Sequence, residues 1–294
     1  MVNRRTRRRL LLKKLGFAED PFMSSADPRF LYLSTQHGMV LERMRDLIED
    51  FAGLAVIDGS FGVGKSSLAL RLENIYRGLP DEYRVIYIHT ASYESEFAGL
   101  QDLCDVVSLP RRKGLTKQWR EFENFLVDEH KEGRNVVIIL DDAQLLSADA
   151  LSIIHKLYNF DTGGRKRAQV ILFGQREIKY KFSMHPEIES RVKEWHTLNT
   201  LPIEGTIELI LFRCRVAGRE RPFILTQNGL LNIHDSTDGT PREIVNLCSH
   251  IIDVLGENDK DAADDNVVKE AIDNYESSKS SRPIYPTSME NPDE

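Results

Sequence analysis

The sequence predicts an α/β fold: a parallel sheet between layers of helices, followed by a small helical domain. Three observations carry this reading. Residues 51–200 alternate β-rich runs with helical spacing, a glycine-rich turn joins the first of those runs to the first helix, and strand signals fade after residue 201. Parallel strands need long crossover connections, usually helices, so this alternation is what a helix–sheet–helix sandwich looks like in sequence.

Residues 1–15 form a basic arm, with Arg4, Arg5, Arg7, Arg8, Arg9, Lys13 and Lys14 and no acid, and have room for one short helix. Next comes Gly16-Phe-Ala-Glu-Asp-Pro-Phe, then Asp27-Pro28 and Leu31-Tyr32-Leu33-Ser34, with a helix from about Gln36 that Ser34 is placed to cap. Leu54–Asp58 is an apolar strand running into the glycine turn, and Ser66–Tyr76 is the helix leaving it. Val85–His89, Val136–Leu140 and Gln169–Phe173 are further strands. Helical spacing then covers 203–218, 226–235, 241–255 and 264–276. The expected organisation is an arm over 1–15, a large domain over 16–200, a helical domain over 201–276 and, given its prolines and serines, a disordered tail over 277–294.

The 294 residues are 41% hydrophobic and 29% charged, a balance that supports a substantial core. The longest aliphatic run, Val136–Leu140, is far short of the ~20 residues that span a bilayer. No segment has the pattern of a signal peptide. Cys104, Cys214 and Cys248 are scattered without paired spacing, as expected of buried thiols in a reducing compartment. A cytoplasmic protein with no membrane partner is expected. The net charge of −7 is uneven: the arm carries +7 and residues 256–294 carry −7. The arm is either a site for polyanions such as nucleic acid or a solubilising tail.

The glycine turn reads Gly59-Ser-Phe-Gly-Val-Gly-Lys-Ser66, the G-x-x-x-x-G-K-S pattern between a strand and a helix. Gly59, Gly62 and Gly64 let the backbone turn tightly and aim N–H groups at phosphate oxygens, with Val63 inside the same cradle. The positive end of the following helix points at the same anion, and Ser67 belongs to its first turn. Lys65 supplies charge for the β- and γ-phosphates of ATP, and Ser66 a hydroxyl for Mg²⁺. The second half of the site is Val136-Val-Ile-Ile-Leu-Asp141-Asp142-Ala-Gln144. Its acids fall at the carboxyl end of a buried strand, where open α/β sheets bind ligands. Asp141 is placed to hold Mg²⁺ through water, and Asp142 to polarise the attacking water.

Three further residues have two readings each. Gln175 ends a strand, and either contacts the γ-phosphate or is an ordinary strand end. Arg191 is either an arginine finger for a neighbouring subunit or a solvated side chain. Arg242 opens a helix after Gly239-Thr-Pro, and either folds over nucleotide or lies on the surface. Arg111, Arg112 and Lys113, with Arg165, Lys166 and Arg167, are two basic loops that fit a nucleic-acid backbone or a solvated surface.

Taken together, Gly16-Phe…Asp20-Pro-Phe, Asp27-Pro-Arg-Phe-Leu-Tyr-Leu-Ser, His37, the phosphate loop, Asp-Asp-Ala-Gln, Leu-Phe-Gly-Gln and Gly-Thr-Pro-Arg resemble the ExeA-like AAA+ ATPases from about 16 to 255. That group includes general-secretion ATPases and is similar to AAA+ target-selection regulators of DNA transposition. The resemblance implies an αβα nucleotide domain with a helical lid, and ATP bound between subunits of a ring or helix. It implies Asp141 as the Walker B acid, Gln175 at sensor 1, Arg191 as finger and Arg242 as sensor 2. Relatives usually carry Glu where this chain has Asp142, which implies slow turnover and a site used as an assembly switch. Secretion members continue into a membrane span and a peptidoglycan-binding region, and neither pattern occurs in these 294 residues. The expected function is therefore an ATP-dependent oligomer on duplex DNA, in transposition, with a transposase or other recruiter as partner. A secretion or assembly ATPase without DNA, or a nucleotide-gated interaction protein with little hydrolysis, are the alternatives.

Overall fold

The structure is a computed structural model in which residues 4–23, 27–162, 165–221, 223–224 and 226–280 are described. The chain divides into two compact units, residues 26–200 and residues 1–25 with 201–294.

In chain order the elements of the larger unit are α2 (Thr35–Glu49), β1 (Leu54–Gly59), α3 (Lys65–Arg77), β2 (Tyr83–Ile88), α4 (Glu96–Val106), α5 (Leu115–Lys131), β3 (Asn135–Leu140), α6 (Leu151–Asn159), the short hairpin β4 (Asp161–Thr162) and β5 (Arg165–Lys166), β6 (Ala168–Gly174), α7 (Glu177–Ser183), α8 (Pro186–Glu189) and β7 (Val192–Leu198). The main sheet has the order β2-β3-β6-β1-β7, every pair parallel. Strands β1, β3 and β6 are buried at every position, which explains their uninterrupted apolar runs.

Alternation within those runs divides the core in two. Val56, Ile138 and Leu172 face Leu100, Phe122, Leu126 and Ile154 of α4, α5 and α6. Ile57, Ile139 and Phe173 face Met44, Leu68 and Leu72 of α2 and α3. The side-chain period of two along a strand thus assigns each group of helices its own face. Two buried amides close the amino-terminal end of the sheet. Gln169 accepts from the Gly53 N–H at 2.9 Å and donates to Asn135 Oδ1 at 3.2 Å, while Asn135 donates to the Ile48 carbonyl at 2.7 Å.

Strand β7 is absent from the strands that the sequence predicts. Its residues Val-Lys-Glu-Trp-His-Thr-Leu are largely polar and partly exposed because it is an edge strand, paired only with β1. An edge strand needs no continuous apolar run.

The second unit comprises α1 (Arg4–Lys14), α9 (Ile203–Val216), α10 (Gln227–Thr237), α11 (Pro241–Glu257) and α12 (Asp265–Ser280). Two expected boundaries are corrected here. Residues 16–23 belong with these helices and not with the nucleotide domain: Phe17 and Phe22 pack on Phe223, and the buried Arg213 donates to the carbonyls of Pro21 at 2.6 Å and Met23 at 3.1 Å. Residues 277–280 are helical and not a disordered tail, because α12 is tied to α11 by the Tyr275 hydroxyl and Lys279, both on Glu243. Residues 281–294 lie outside the described residues, as do 1–3 of the arm.

The arm is a docked helix. Leu12 and Leu15 are buried, and Arg8 reaches Asp20 at 2.6 Å, Asp253 at 2.5 Å and Ser249 at 2.8 Å. Lys14 pairs with Asp259 at 2.6 Å, so part of the positive charge is used inside the unit. Arg7, Arg9 and Lys13 remain exposed. All three cysteines are free and buried. Among the described residues no helix is long and apolar enough to cross a membrane.

Candidate nucleotide site

The loop between β1 and α3 takes its shape from glycines at Gly62 and Gly64, with φ of 84° and 104°, in the left-handed region that most side chains avoid. Gly59 is required for a different reason: a β-carbon there would lie 2.6 Å from the Leu198 carbonyl oxygen. The Lys65 ammonium is buried over the loop and donates to the carbonyls of Gly59 at 2.9 Å and Ser60 at 2.8 Å. A cation held over the loop by neutral carbonyls suits an anion bound there.

His37 of α2 supports the loop from below. Its Nε2–H donates to the Val63 carbonyl at 3.0 Å, and its Nδ1 accepts from the Ser34 hydroxyl at 2.7 Å. Ser34 also caps α2 by accepting from the His37 N–H. The ring lies 2.7 Å from where a Gly64 β-carbon would stand, a second reason for glycine there. Burial pushes the imidazole pKa below its usual value of 6.5. The unfolded chain therefore binds this proton more readily than the folded one, and the stability from the neutral ring is present above about pH 6.5 and lost as pH falls towards the folded pKa. Thermal unfolding of the wild type should worsen between pH 7.5 and 5.5 by more than that of His37→Gln, in which no imidazole titrates; equal losses would refute the assignment.

Asp141 and Ser66 meet across the loop. Asp141 follows β3 and is buried; burial raises its carboxyl pKa, and the neighbouring Ser66 hydroxyl works in the opposite direction. A hydroxyl and a carboxylate side by side form a hard oxygen donor set, which fits Mg²⁺ together with phosphate oxygens. When bound, that ion supplies charge to neutralise the phosphates. Asp142 adopts φ 53° and ψ 36°, a left-handed conformation uncommon outside glycine, asparagine and aspartate, and its N–H donates to Asp141 Oδ1 at 2.9 Å. The side chain of Gln144 donates from Nε2 to Asp142 Oδ1 at 3.1 Å and accepts from the Gln175 N–H at 2.9 Å. Asp141, Asp142 and Gln175 are thus brought to the carboxyl ends of the adjacent strands β3 and β6, beside the loop that follows β1.

The loop is also tied to the edge strand. Asp58, fully buried at its base, accepts from Thr197 Oγ1 at 2.6 Å, and its other oxygen faces the Lys179 ammonium at 3.2 Å. Lys179 in turn donates to Thr197 at 2.9 Å, linking α7 and β7 to the phosphate loop. The only sequence signal for this was an acid inside an otherwise apolar strand.

Arg191 and the two basic loops lie elsewhere in the larger unit. Arg191 donates to the Glu187 carbonyl at 2.9 Å and to Asn159 at 2.5 Å, and stacks on Tyr158. It precedes β7, at the opposite end of the sheet from Lys65 and Asp141. Arg242 is exposed in the first turn of α11, in the helical unit. Arg111 is paired with Asp105, and Arg112 with Glu121 at 3.0 Å; Lys113 is exposed. The 165–167 cations are not isolated charges, since each lies over a ring: Arg165 over Phe51, Lys166 over Tyr158 and Arg167 over Phe160.

Residues 48–182 match the AAA domain family, a span that begins before the phosphate loop and runs through Asp141, Asp142 and Gln175. That span lies within the larger unit. Beyond that domain, the chain is 29% identical over 241 residues to general secretion pathway protein A of Aeromonas hydrophila, covering 81% of this chain and 43% of that protein. The chain therefore spans less than half the length of that relative. The fold is shared with the Aeropyrum pernix ORC2 protein in ADPNP–ADP complexes (TM-score 0.64, 15% identity, 87% of this chain and 71% of that one). It is also shared with A. pernix ORC1 in complex with DNA (TM-score 0.60, 15% identity, 85% and 68%). The resemblance to ExeA-like AAA+ proteins read from the sequence thus holds, with the AAA domain carrying the phosphate loop.

Proposed function

We propose that this AAA+ protein binds and hydrolyses ATP with Mg²⁺ and assembles on duplex DNA, as a regulator of transposition. The observation that carries the ATPase part is the meeting of Lys65, Ser66, Asp141 and Asp142 around one glycine cradle. In this reading the loop N–H groups and Lys65 bind the phosphates, Ser66 and Asp141 hold the metal ion, and Asp142 takes a proton from the attacking water. Gln175 contacts the γ-phosphate and Arg242 acts as sensor 2.

Arg191 is proposed to act on a neighbouring subunit. A seven-residue strand is about 20 Å long, so an arginine at the amino-terminal end of β7 does not reach phosphates bound beyond the carboxyl ends of the strands in its own chain. This geometry supports an oligomer with nucleotide between subunits.

Support for DNA comes from cations without a base-reading module: Arg7, Arg9 and Lys13, exposed on α1, and Arg165, exposed beside the partly buried Lys166 and Arg167. Pairing with acids makes Arg111 and Arg112 weaker contributors than the sequence suggests. The ORC1 relative in fold is bound to DNA, and the same contacts here would be to backbone phosphate. The protein partner is then a transposase or other recruiter and the location cytoplasmic. The similarity to a general secretion protein favours a second reading, an assembly ATPase that never touches DNA.

A salt titration of fluorescent duplex, with ATP, an analogue or ADP, decides between them. The DNA reading expects weak sequence preference, binding that needs ATP or its analogue, and a slope of log affinity against log salt near −0.9 per phosphate neutralised. Replacing Arg165, Lys166 and Arg167 with Ala should flatten that slope and leave ATP binding intact. ATP-loaded oligomer with no affinity at low salt would leave the secretion-type reading standing.

A further inference from the structure

We infer that Gln144 is a positioning residue for hydrolysis, holding the Asp142 carboxylate at its working angle by anchoring it to the end of β6. The inference rests on the ATPase reading above and adds to it the part that aims the base.

A polar constraint fixes the Gln144 amide. Asp142 Oδ1 only accepts, and the Gln175 N–H only donates, so an amide lying between them has one workable orientation. Gln144 takes it, with Nε2 towards Asp142 at 3.1 Å and Oε1 towards Gln175 N at 2.9 Å. Rotating the amide by half a turn would oppose like poles at both ends. The side chain is thereby locked by its two partners, and it locks them in return. Asp142 needs such a partner because aspartate is one methylene shorter than glutamate, and because it stands in a turn with a left-handed backbone rather than in the strand itself.

Gln144 is itself held from outside. The Lys181 ammonium of α7 donates to the carbonyls of Gln144 and, at 2.6 Å, Leu146, pinning the turn that carries both Asp142 and Gln144. Burial lowers the Lys181 pKa, as expected of an ammonium satisfied by carbonyls alone. The proton acceptor on β3 and the γ-phosphate contact on β6 are therefore joined through one amide.

The test uses full-length protein and Mg-ATP, with Gln144→Glu and Gln144→Met. Glutamate keeps the shape and the acceptor for Gln175 but opposes the Asp142 carboxylate, whereas methionine keeps the shape alone. Both should bind ATP with unchanged affinity while kcat falls roughly ten- to a hundredfold, the scale on which misplaced reacting groups lose rate. A double-mutant cycle separates aiming from general loss of structure. In the Asp142→Asn background, where no carboxylate is left to aim, adding Gln144→Met should not slow the residual single-turnover rate further. Wild-type kcat in Gln144→Glu, or the same loss of rate in both backgrounds, would overturn the inference. A wild-type protein that binds ATP and never turns it over would instead remove the ATPase reading, and the inference with it.

Discussion

Lys65→Ala should abolish useful nucleotide binding. The wild-type ammonium is buried over the loop, donating to the Gly59 and Ser60 carbonyls at 2.9 and 2.8 Å, and so it is already desolvated when phosphate arrives. Removing one member of a buried, hydrogen-bonded charge pair costs about 2–5 kcal/mol, roughly thirty-fold to several thousand-fold in Kd. The loop itself should survive, because its path is set by Gly62 and Gly64 and by His37 on the Val63 carbonyl, and alanine is the best helix former for the start of α3. Calorimetric titration with Mg-ATP checks the affinity, and circular dichroism checks the fold. Wild-type affinity in a folded Lys65→Ala protein would mean that phosphate is bound elsewhere.

Asp142→Asn should bind ATP normally and lose hydrolysis by about 10²–10⁴-fold, the usual contribution of a positioned general base. The substitution is well matched to the site. Asparagine tolerates the left-handed backbone that Asp142 adopts, and its side-chain oxygen still accepts from Gln144 Nε2. Asp141 and Ser66 remain in place for the metal ion, so only the capacity to take a proton is lost. Single-turnover hydrolysis measures this, and assemblies formed with ATP should persist longer than those of the wild type. A variant that hydrolyses at the wild-type rate would show that another group activates water.

The two predictions depend differently on what was legible in the sequence. The phosphate loop was readable because its requirements are local: positive φ at glycine, a charge on a short tether, and a helix N-terminus all fall within eight consecutive residues. Asp141 and Asp142 were readable because a short apolar run with four β-branched residues reads as a buried strand, and polar residues at its carboxyl end face the ligand. The roles of His37, Asp58 and Gln144 were not readable in the same way. Each acts on a partner brought near by the fold: His37 on Val63, Asp58 on Thr197 and Lys179, Gln144 on Gln175.

The helical unit shows the same division. Periodicity places four helices after residue 201, but it does not show that residues 16–23 belong with them. That membership depends on the buried guanidinium of Arg213 and on Phe223 meeting Phe17 and Phe22 from far along the chain. Local charge likewise identifies Arg8, Lys14, Arg111 and Arg112 as cations without revealing the acids that pair with them.

By itself the sequence determined the alternation of strand and helix, the phosphate loop and the acids at the end of β3, because each is encoded by neighbours in the chain. Only the tertiary structure decided which strands lie side by side, that Val192–Leu198 closes one edge of the sheet, and which cations remain exposed. Those outcomes depend on contacts between distant residues, where burial, and not local propensity, selects among arrangements that one-dimensional patterns leave equivalent.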